Sequence, residues 1–236
     1  IQENIKTLDQ SLAAHLNDKL QDGVHGLSTI SNLTLYVDPV NGNDSNDGLT
    51  LETAFKSIQK AIDSVPKIVN HDVRIYLEDG THDAGVVYLQ GFIGGKGALY
   101  IRGLSSVRSN VIVKGYFNVL NNTAPLSFSY FTVQDFNEYG LRFRNCTSIN
   151  VNNAIVNGNG LVHPNTRLGV ASLDSSVVIN NVKFINFQQS TAWNRGAIFS
   201  GQGARVSTYS CEFEDVDTAF FADYGIISGA SGSFSF

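Results

Sequence analysis

The densest acidic region of the chain is "CEFEDVDTAFFAD", which supplies Glu212, Glu214, Asp215 and Asp217. If Phe213 points inward from a strand, Glu212 and Glu214 both point outward, about 6.5 to 7 Å apart along that strand. Glycoside hydrolysis with inversion uses two carboxyl groups roughly 6.5 to 9.5 Å apart. These four residues are therefore the candidate catalytic group.

Four other residues are of types that recognise sugars. Trp193, the only Trp of the chain, lies in "QQSTAWNRG" beside Arg195, and Glu138 with Tyr139 occupies the corresponding region two repeats earlier. Aromatic and Arg side chains in variable loops often mark recognition surfaces. These four residues are the candidate substrate-binding group, and a contact between subunits is an equally good explanation of Trp193.

The loop "YVDPVNGNDSNDG" is rich in Asp and Asn, residue types that also bind calcium in EF-hand loops. An EF-hand loop needs oxygen ligands at positions 1, 3 and 5, Gly at 6 and Glu at 12. Counting from Asn43 gives Ser45, Asp47 and Gly48 in place, but position 12 is Ala54. The missing Glu removes the strongest ligand, so the loop is predicted to form side-chain-capped turns. No metal and no cofactor are expected.

The elements that would position these side chains show a repeat. The pattern is apolar, two residues, apolar, one residue, apolar, and its copies begin at Phe128, Val151, Ile179 and Thr208, which are 23, 28 and 29 residues apart. The full set is Phe128, Phe131, Val133, Val151, Ala154, Val156, Ile179, Val182, Phe184, Thr208, Cys211 and Phe213. Such intervals match successive coils of a parallel β-helix.

Polar residues repeat in the same alignment. Asp135, Gly158, Asn186 and Asp215 follow the copies as a turn-forming set, and Asn153 aligns with Asn181. Asn ladders at the corners of stacked coils satisfy backbone groups through side-chain hydrogen bonds. The alignment also places Lys183 beneath Glu212, where a solvated ion pair is the ordinary outcome.

The chain divides into three predicted regions. Residues 1–31 form a helical stem, because Ile1, Ile5, Leu8 and Leu12 follow a coiled-coil rhythm that implies identical partner helices, with a helix packed on its own domain as the alternative. Residues 32–70 contain a strand, the Asn/Asp/Gly loop and a short helix over "TAFKSIQKAIDSVPK". Residues 71–236 form the β-helix, which is expected to continue past the apolar end of the chain.

Composition limits the classes of partner. A net charge of −5 gives no reason to expect nucleic-acid binding. No apolar run is long enough to span a bilayer, so no membrane insertion is expected. Cys146 and Cys211 lie two to three coils apart, farther than a disulfide reaches, and are predicted to be free thiols, with Cys211 in the core.

The stretch "LYVDPVNGNDSNDGLTLETAFKSIQKAID" resembles the first module of right-handed parallel β-helix proteins of the pectate-lyase-like class. The preceding "LAAHLNDKLQDGVHGLSTIS" is similar to stem segments of bacteriophage tail spikes and pre-neck appendages. The resemblance implies a virion protein: a homotrimer that contacts other virion proteins outside the host cell. It also implies binding, and in some members cleavage, of a host surface glycan such as a capsular polysaccharide or wall teichoic acid.

Two alternatives stay open on the sequence. A secreted polysaccharide lyase or glycoside hydrolase would use the same fold as a monomer, but it leaves the N-terminal heptads unexplained. A purely structural virion module would carry its binding or catalytic part elsewhere. No triad and no metal motif in the sequence decides whether the chain is an enzyme.

Overall fold

A computed structural model describes residues 28–159, 168–187, 196–229 and 232–235. It contains one short helix, α1 (Ile58–Asp63). The strands, in chain order, are β1 (Leu33–Val37), β2 (Ile68–Val69), β3 (Val73–Leu77), β4 (Gly80–Gln90), β5 (Ile93–Gly94), β6 (Leu99–Gly103), β7 (Val111–Asn122), β8 (Leu126–Ser129), β9 (Thr132–Gln134), β10 (Tyr139–Cys146), β11 (Ile149–Asn152), β12 (Ile155–Asn157), β13 (Leu168–Leu173), β14 (Ser176–Asn180), β15 (Lys183–Phe187), β16 (Gly196–Gly201), β17 (Arg205–Tyr209), β18 (Cys211–Val216), β19 (Phe220–Asp223), β20 (Ile226–Gly229) and β21 (Gly232–Ser235).

The strands form a parallel solenoid. An eight-stranded sheet has the order β1-β3-β6-β8-β11-β14-β17-β20, and an eleven-stranded sheet runs β19-β16-β13-β10-β7-β9-β12-β15-β18-β21 with β4 paired to β7. β2 and β5 make a separate pair. Each strand pairs with the equivalent strand of the next coil, so the prediction of an all-β parallel β-helix is confirmed for the described residues.

The repeated apolar pattern forms rows inside the solenoid. Val151 pairs with Phe128 on one side and with Ile179 on the other, and Ile179 pairs with Thr208. Val156, Phe184 and Phe213 are matched in the same way. All twelve residues of the pattern are buried. The predicted register is therefore confirmed at the level of single residues.

Asn and Asp residues turn the chain at the corners. Asn153 and Asn181 have positive φ, and the Asn181 side-chain amide donates a 2.5 Å hydrogen bond to Asn153 Oδ1, which confirms a step of the predicted ladder. Asp135, Asn186 and Asp215 also have positive φ, whereas in the second copy it is Asn159 and not Gly158 that does. Asn and Asp tolerate this left-handed conformation better than most residues.

The first coils turn one corner without a loop. β4 and β7 run through it as continuous strands, bent where Gly85 pairs with Gly115 and the register shifts after Asp83. Both glycines have positive φ, and a Cβ on Gly115 would lie 1.9 Å from the Gly85 carbonyl oxygen. In a later coil the chain leaves the sheet at this corner, between β9 and β10.

The opening loop clamps the capping helix. Asp44 accepts hydrogen bonds from the backbone of Lys56 and Ser57 and from the Ser57 hydroxyl, and Ser57 in turn caps α1. Asp38 and Asp47 accept bonds within the loop itself. The loop's carboxylates are thus engaged in turns, as predicted. No set of three His, Cys, Asp or Glu side chains suited to a metal exists among the described residues.

The helix is shorter than the sequence pattern suggested. Ile58 and Ile62 are buried against the first coil, but Phe55 lies before the helix and forms a β-bridge with Val37. The Gln59 side chain donates to the Tyr88 carbonyl and accepts from its amide, so the helix satisfies both backbone groups of Tyr88. The helix therefore protects the open edge of the solenoid.

The predicted stem lies almost wholly outside the described residues. Residues 28–31 were assigned to its end, yet Ser28 forms a bridge with Ile68 and Thr29 donates to the Ile68 carbonyl, so these residues are not helical. Pairing with the first coil replaces helix there. Among the described residues, no helix is long and apolar enough to cross a membrane.

Both cysteines are free and buried, as predicted. Burial raises the pKa of the Cys146 and Cys211 thiols, which keeps them protonated. Cys211 occupies an inner row and behaves as a small apolar core residue.

Replacing Asp44 tests the clamp. Burial acts to raise the pKa of Asp44, but the hydrogen bonds from Ser57 and Lys56 outweigh it and hold this pKa below its ordinary value. The stabilisation is therefore complete above about pH 5 and is lost as the pH falls through the folded pKa. We expect Asp44→Asn to lower the free energy of unfolding by about 1 kcal/mol at pH 7, since the site is exposed, and by less at a pH below the ordinary pKa of Asp, such as pH 3.

Urea melts at both pH values measure this difference. Asp83→Asn is the control, because the Asp83 side chain is exposed and makes no hydrogen bond or ion pair within the described chain. Equal effects of the two substitutions at pH 7 would contradict the clamp.

Candidate functional site

The corner between the two halves of the large sheet holds two of the four candidate recognition residues. β10, β13 and β16 all begin there, and they pair in register through Tyr139, Leu168 and Gly196. Glu138 and Tyr139 lie at this corner, and the Glu138 carbonyl accepts a hydrogen bond from the Leu168 amide. Trp193 and Arg195 precede β16 in sequence but lie outside the described residues.

Two tyrosines and an arginine are in contact on the outer face beside the corner. The rings of Tyr116 and Tyr139 have centroids 6.3 Å apart and are tilted by 53°. The guanidinium carbon of Arg142 lies 5.2 Å from the centroid of the Tyr139 ring. Tyr116 follows the bend at Gly115, and Tyr139 with Arg142 belongs to β10, so adjacent coils supply the cluster.

Asn118 completes the group and has an unusual surrounding. Its neighbours in the sheet are Tyr88 on one side and Arg142 on the other. Asn118 is only 7% exposed, yet neither its Oδ1 nor the Nε of Arg142 has a hydrogen-bond partner. Buried polar atoms without partners are rare and need an explanation. One hydrogen-bond acceptor, Asn118 Oδ1, and one donor, Arg142 Nε, thus lie without partners beside two aromatic rings.

The electrostatics keep Tyr116 protonated. Burial is the largest cause that raises the pKa of Tyr116, and nearby Tyr88 and Glu138 add to it, while Arg142 opposes them. The Tyr116 hydroxyl therefore remains a hydrogen-bond donor at physiological pH. Glu138 is the carboxylate whose charge raises the pKa of Tyr116. Glycoside hydrolysis uses a pair of carboxyl groups, and Glu138 is a single one. The described cluster places hydrogen-bonding groups beside two aromatic rings.

The same outer face becomes apolar in the following coils. Leu168, Ala171 and Phe199 form a second apolar cluster, separate from the inner core, and Tyr139 packs against it. Phe199 stacks on Phe221 with ring centroids 5.6 Å apart. Tyr139 therefore joins the polar cluster to an apolar strip.

The candidate catalytic group lies elsewhere. Glu212 and Glu214 point outward from β18 while Phe213 is buried, as predicted. Lys183 pairs with Glu212 in the backbone register, but its ammonium group binds Glu214 at 2.6 Å. The predicted ion pair thus forms with the other carboxylate of the two.

Asp215 and Asp217 flank the end of the same strand. Asp215 is a corner residue with positive φ, and Asp217 donates its amide to the Phe187 carbonyl. The coil that contains β18 and β19 is three pairings from β10, or about 14 Å along the solenoid. The structure therefore does not bring Glu212, Glu214, Asp215 and Asp217 to the corner cluster.

Sequence reasoning missed Tyr88, Tyr116, Asn118 and Arg142. The repeat began at Phe128, so it did not align β4 and β7 with β10. A usable signal was present, because "GYFN" and "EYGLR" each place Gly next to Tyr at the same corner.

No protein-family model matches the chain, and no curated protein does. Among solved structures, the chain is similar to the native GH136 lacto-N-biosidase from Eubacterium ramulus, with 15% sequence identity and a TM-score of 0.44. The match covers 80% of this chain and 36% of that one, so the chain spans about a third of that structure's length. A likeness of this size carries no conclusion about activity.

Asn118 provides a test of the site through stability. A buried amide oxygen without a hydrogen-bond partner costs free energy that an apolar side chain does not, so Asn118→Leu should raise the free energy of unfolding by about 1 kcal/mol. Asn122 on the same strand is the control. Its Oδ1 accepts from the Phe92 amide and its Nδ2 donates to the Leu89 carbonyl, so Asn122→Leu should lower this free energy by about 2 kcal/mol or more.

Urea denaturation of the two variants measures both effects. If Asn118→Leu destabilised the protein as much as Asn122→Leu does, Asn118 would be a structural residue and the site would lose its main support.

Proposed function

We propose that this solenoid binds a bacterial surface glycan through the outer face formed by Tyr116, Asn118, Tyr139 and Arg142. The observation that carries the proposal is the pair of buried, unpartnered polar atoms, Asn118 Oδ1 and Arg142 Nε, beside two tyrosine rings. Leaving such atoms unpaired costs stability, and a ligand that pairs with them recovers it.

Sugars have the chemistry that suits this cluster. A pyranose ring has an apolar C–H face and a rim of hydroxyls, so it matches an aromatic ring bordered by hydrogen-bonding groups. Tyr116 donates, Asn118 accepts, and Arg142 donates. Glu138 at the edge accepts from hydroxyls. The negative net charge argues against a nucleic acid as the ligand.

The biological setting that we propose is a phage tail spike or appendage, in which the solenoid is a homotrimer attached to other virion proteins. The heptad spacing at the N-terminus and the resemblance of the capping module support this. Sedimentation equilibrium tests the trimer, and a mass near 25.6 kDa, that of one chain, would contradict it.

Cleavage of the glycan is the second candidate function, either in the virion or in a secreted lyase or hydrolase. The outward pair Glu212 and Glu214 supports it, although Lys183 neutralises Glu214. Glu212→Gln and Glu214→Gln variants, incubated with a bound polysaccharide, decide whether this pair cuts it. Loss of released reducing ends in either variant would favour catalysis at β18.

Binding by the corner cluster has a direct test. We expect the protein to bind at least one member of an immobilised panel of bacterial capsular and wall polysaccharides. Tyr139→Ala and Arg142→Ala should each weaken that binding at least about fivefold, because stacking and guanidinium contacts are each worth about 1 kcal/mol or more. Biolayer interferometry measures the dissociation constants.

Tyr224→Ala is the matched control, since Tyr224 is 90% exposed and far from the corner in sequence. Equal losses in the control and in Tyr139→Ala would contradict the proposed site, as would unchanged affinity in both corner variants.

A further inference from the structure

A row of planar side chains follows the outer face of the eight-stranded sheet. Tyr36 pairs with Tyr76, and Tyr76 pairs with Arg102, in successive strands β1, β3 and β6. Arg102 pairs with Ser129, and Tyr130 follows at the corner with positive φ. The row therefore contributes one planar group from each of four coils.

The four groups are stacked on one another. Tyr36 and Tyr76 have ring centroids 5.7 Å apart and an interplanar angle of 21°. The guanidinium carbon of Arg102 lies 5.7 Å from the Tyr76 centroid and 4.7 Å from the Tyr130 centroid. Because the flat faces cover one another, the rims of the groups are what remain for a ligand. Those rims carry phenol hydroxyls and guanidinium N–H groups, which are hydrogen-bond donors.

Arg102 carries a charge that no carboxylate offsets. Its one hydrogen bond is a long contact of 3.4 Å from Nε to the Gly103 carbonyl, and no acidic group of the described chain lies within ion-pair distance. Glu78, which follows the end of β3, makes no ion pair with Arg102. The Nη atoms of Arg102 are therefore available to a ligand.

Arg74 on the same face shows the contrast. It also lies over a tyrosine ring, at 5.3 Å from the centroid of Tyr100, but Arg74 binds Asp72 at 2.7 Å. Two arginines in similar stacked positions thus differ in whether their charge is matched. The stack holds Arg102 in one orientation, which reduces the entropy lost when its fork binds an anion.

The face beyond the row favours an extended ligand. In the following coils six of its outward positions carry uncharged hydrogen-bonding side chains, namely Ser127, Ser129, Asn150, Asn152, Asn180 and Ser207, and Val178, Arg205 and Tyr209 occupy others. Four stacked coils span about 14 Å, longer than a single small anion. No acidic side chain occupies these six positions to repel a negative charge.

We propose that Arg102, flanked by Tyr36, Tyr76 and Tyr130, forms a second binding site, which takes a carboxylate or phosphate group of a linear polyanion that lies along the row. The guanidinium fork would bind two oxygens of the anionic group, and the phenol hydroxyls would donate to neighbouring oxygens. This site lies on a different sheet from the Tyr116 cluster and does not depend on the glycan-binding proposal.

Affinity electrophoresis in gels that contain alginate, polyphosphate or dextran tests the proposal at low salt. We expect retardation by alginate, by polyphosphate or by both, and none by dextran. Binding to alginate alone would assign a carboxylate ligand, and binding to polyphosphate alone a phosphate ligand. Arg102→Gln should weaken the retained interaction at least about tenfold.

The matched control removes a neutral pair from the same face. Arg74→Gln combined with Asp72→Asn should change affinity less than about twofold. If Arg102→Gln does not fold by circular dichroism, Arg102→Lys keeps the charge but loses the fork, and it should bind several-fold more weakly than the parent protein. Equal losses in Arg102→Gln and the control pair, or no retardation by either polyanion, would overturn the proposal.

Discussion

Parallel stacking of coils is the constraint on which the structure depends. Each residue in a strand lies on the equivalent residue of the next coil, so a choice at one position is repeated along the whole molecule. Inside the solenoid this produces rows of buried apolar residues, such as Phe128, Val151 and Ile179. Outside, the same rule lines up the side chains that meet the solvent. The molecule therefore has linear outer surfaces, and we propose that its binding sites lie along these outward rows of side chains.

The inner rows could be predicted from the sequence because burial restricts them to few residue types. The spacing of the apolar residues within each copy of the pattern is also constant, because the corner inside each copy is short. The first coils escaped that pattern. β4 and β7 pass the corner through Gly85 and Gly115 and not through a turn, so their spacing differs from that of the later coils. Helix α1 began later than its apolar pattern suggested, because Phe55 pairs with Val37 before the helix starts.

The candidate site was only partly accessible to sequence reasoning. Glu138 and Tyr139 were identified, and both belong to the corner, but Tyr116, Asn118 and Arg142 were not. Outward positions accept many residue types, so their neighbours follow from lateral pairing and not from pattern. Lys183 makes the same point. Its backbone register with Glu212 was predicted, yet a long flexible side chain reaches Glu214 instead.

Stability and recognition are separated in this architecture. The opening loop and the capping helix cover the exposed end of the solenoid. Asp44 accepts a hydrogen bond from the Ser57 amide, and Gln59 accepts one from the Tyr88 amide. The core then supports outer faces that can tolerate unpaired groups. Asn118 with Arg142 on one sheet, and Arg102 on the other, are such groups. We propose that these outward rows bind polymers, because their polar atoms are held in place without partners inside the protein.

Fluorine NMR of the protein labelled with fluorotyrosine tests this account most directly. The chain has nine tyrosines, and Tyr→Phe variants assign each resonance. On addition of a polysaccharide that the protein retains, the account predicts shifts of the Tyr116 and Tyr139 resonances with no change at Tyr224. Unchanged Tyr116 and Tyr139 resonances in the fully bound protein would contradict it.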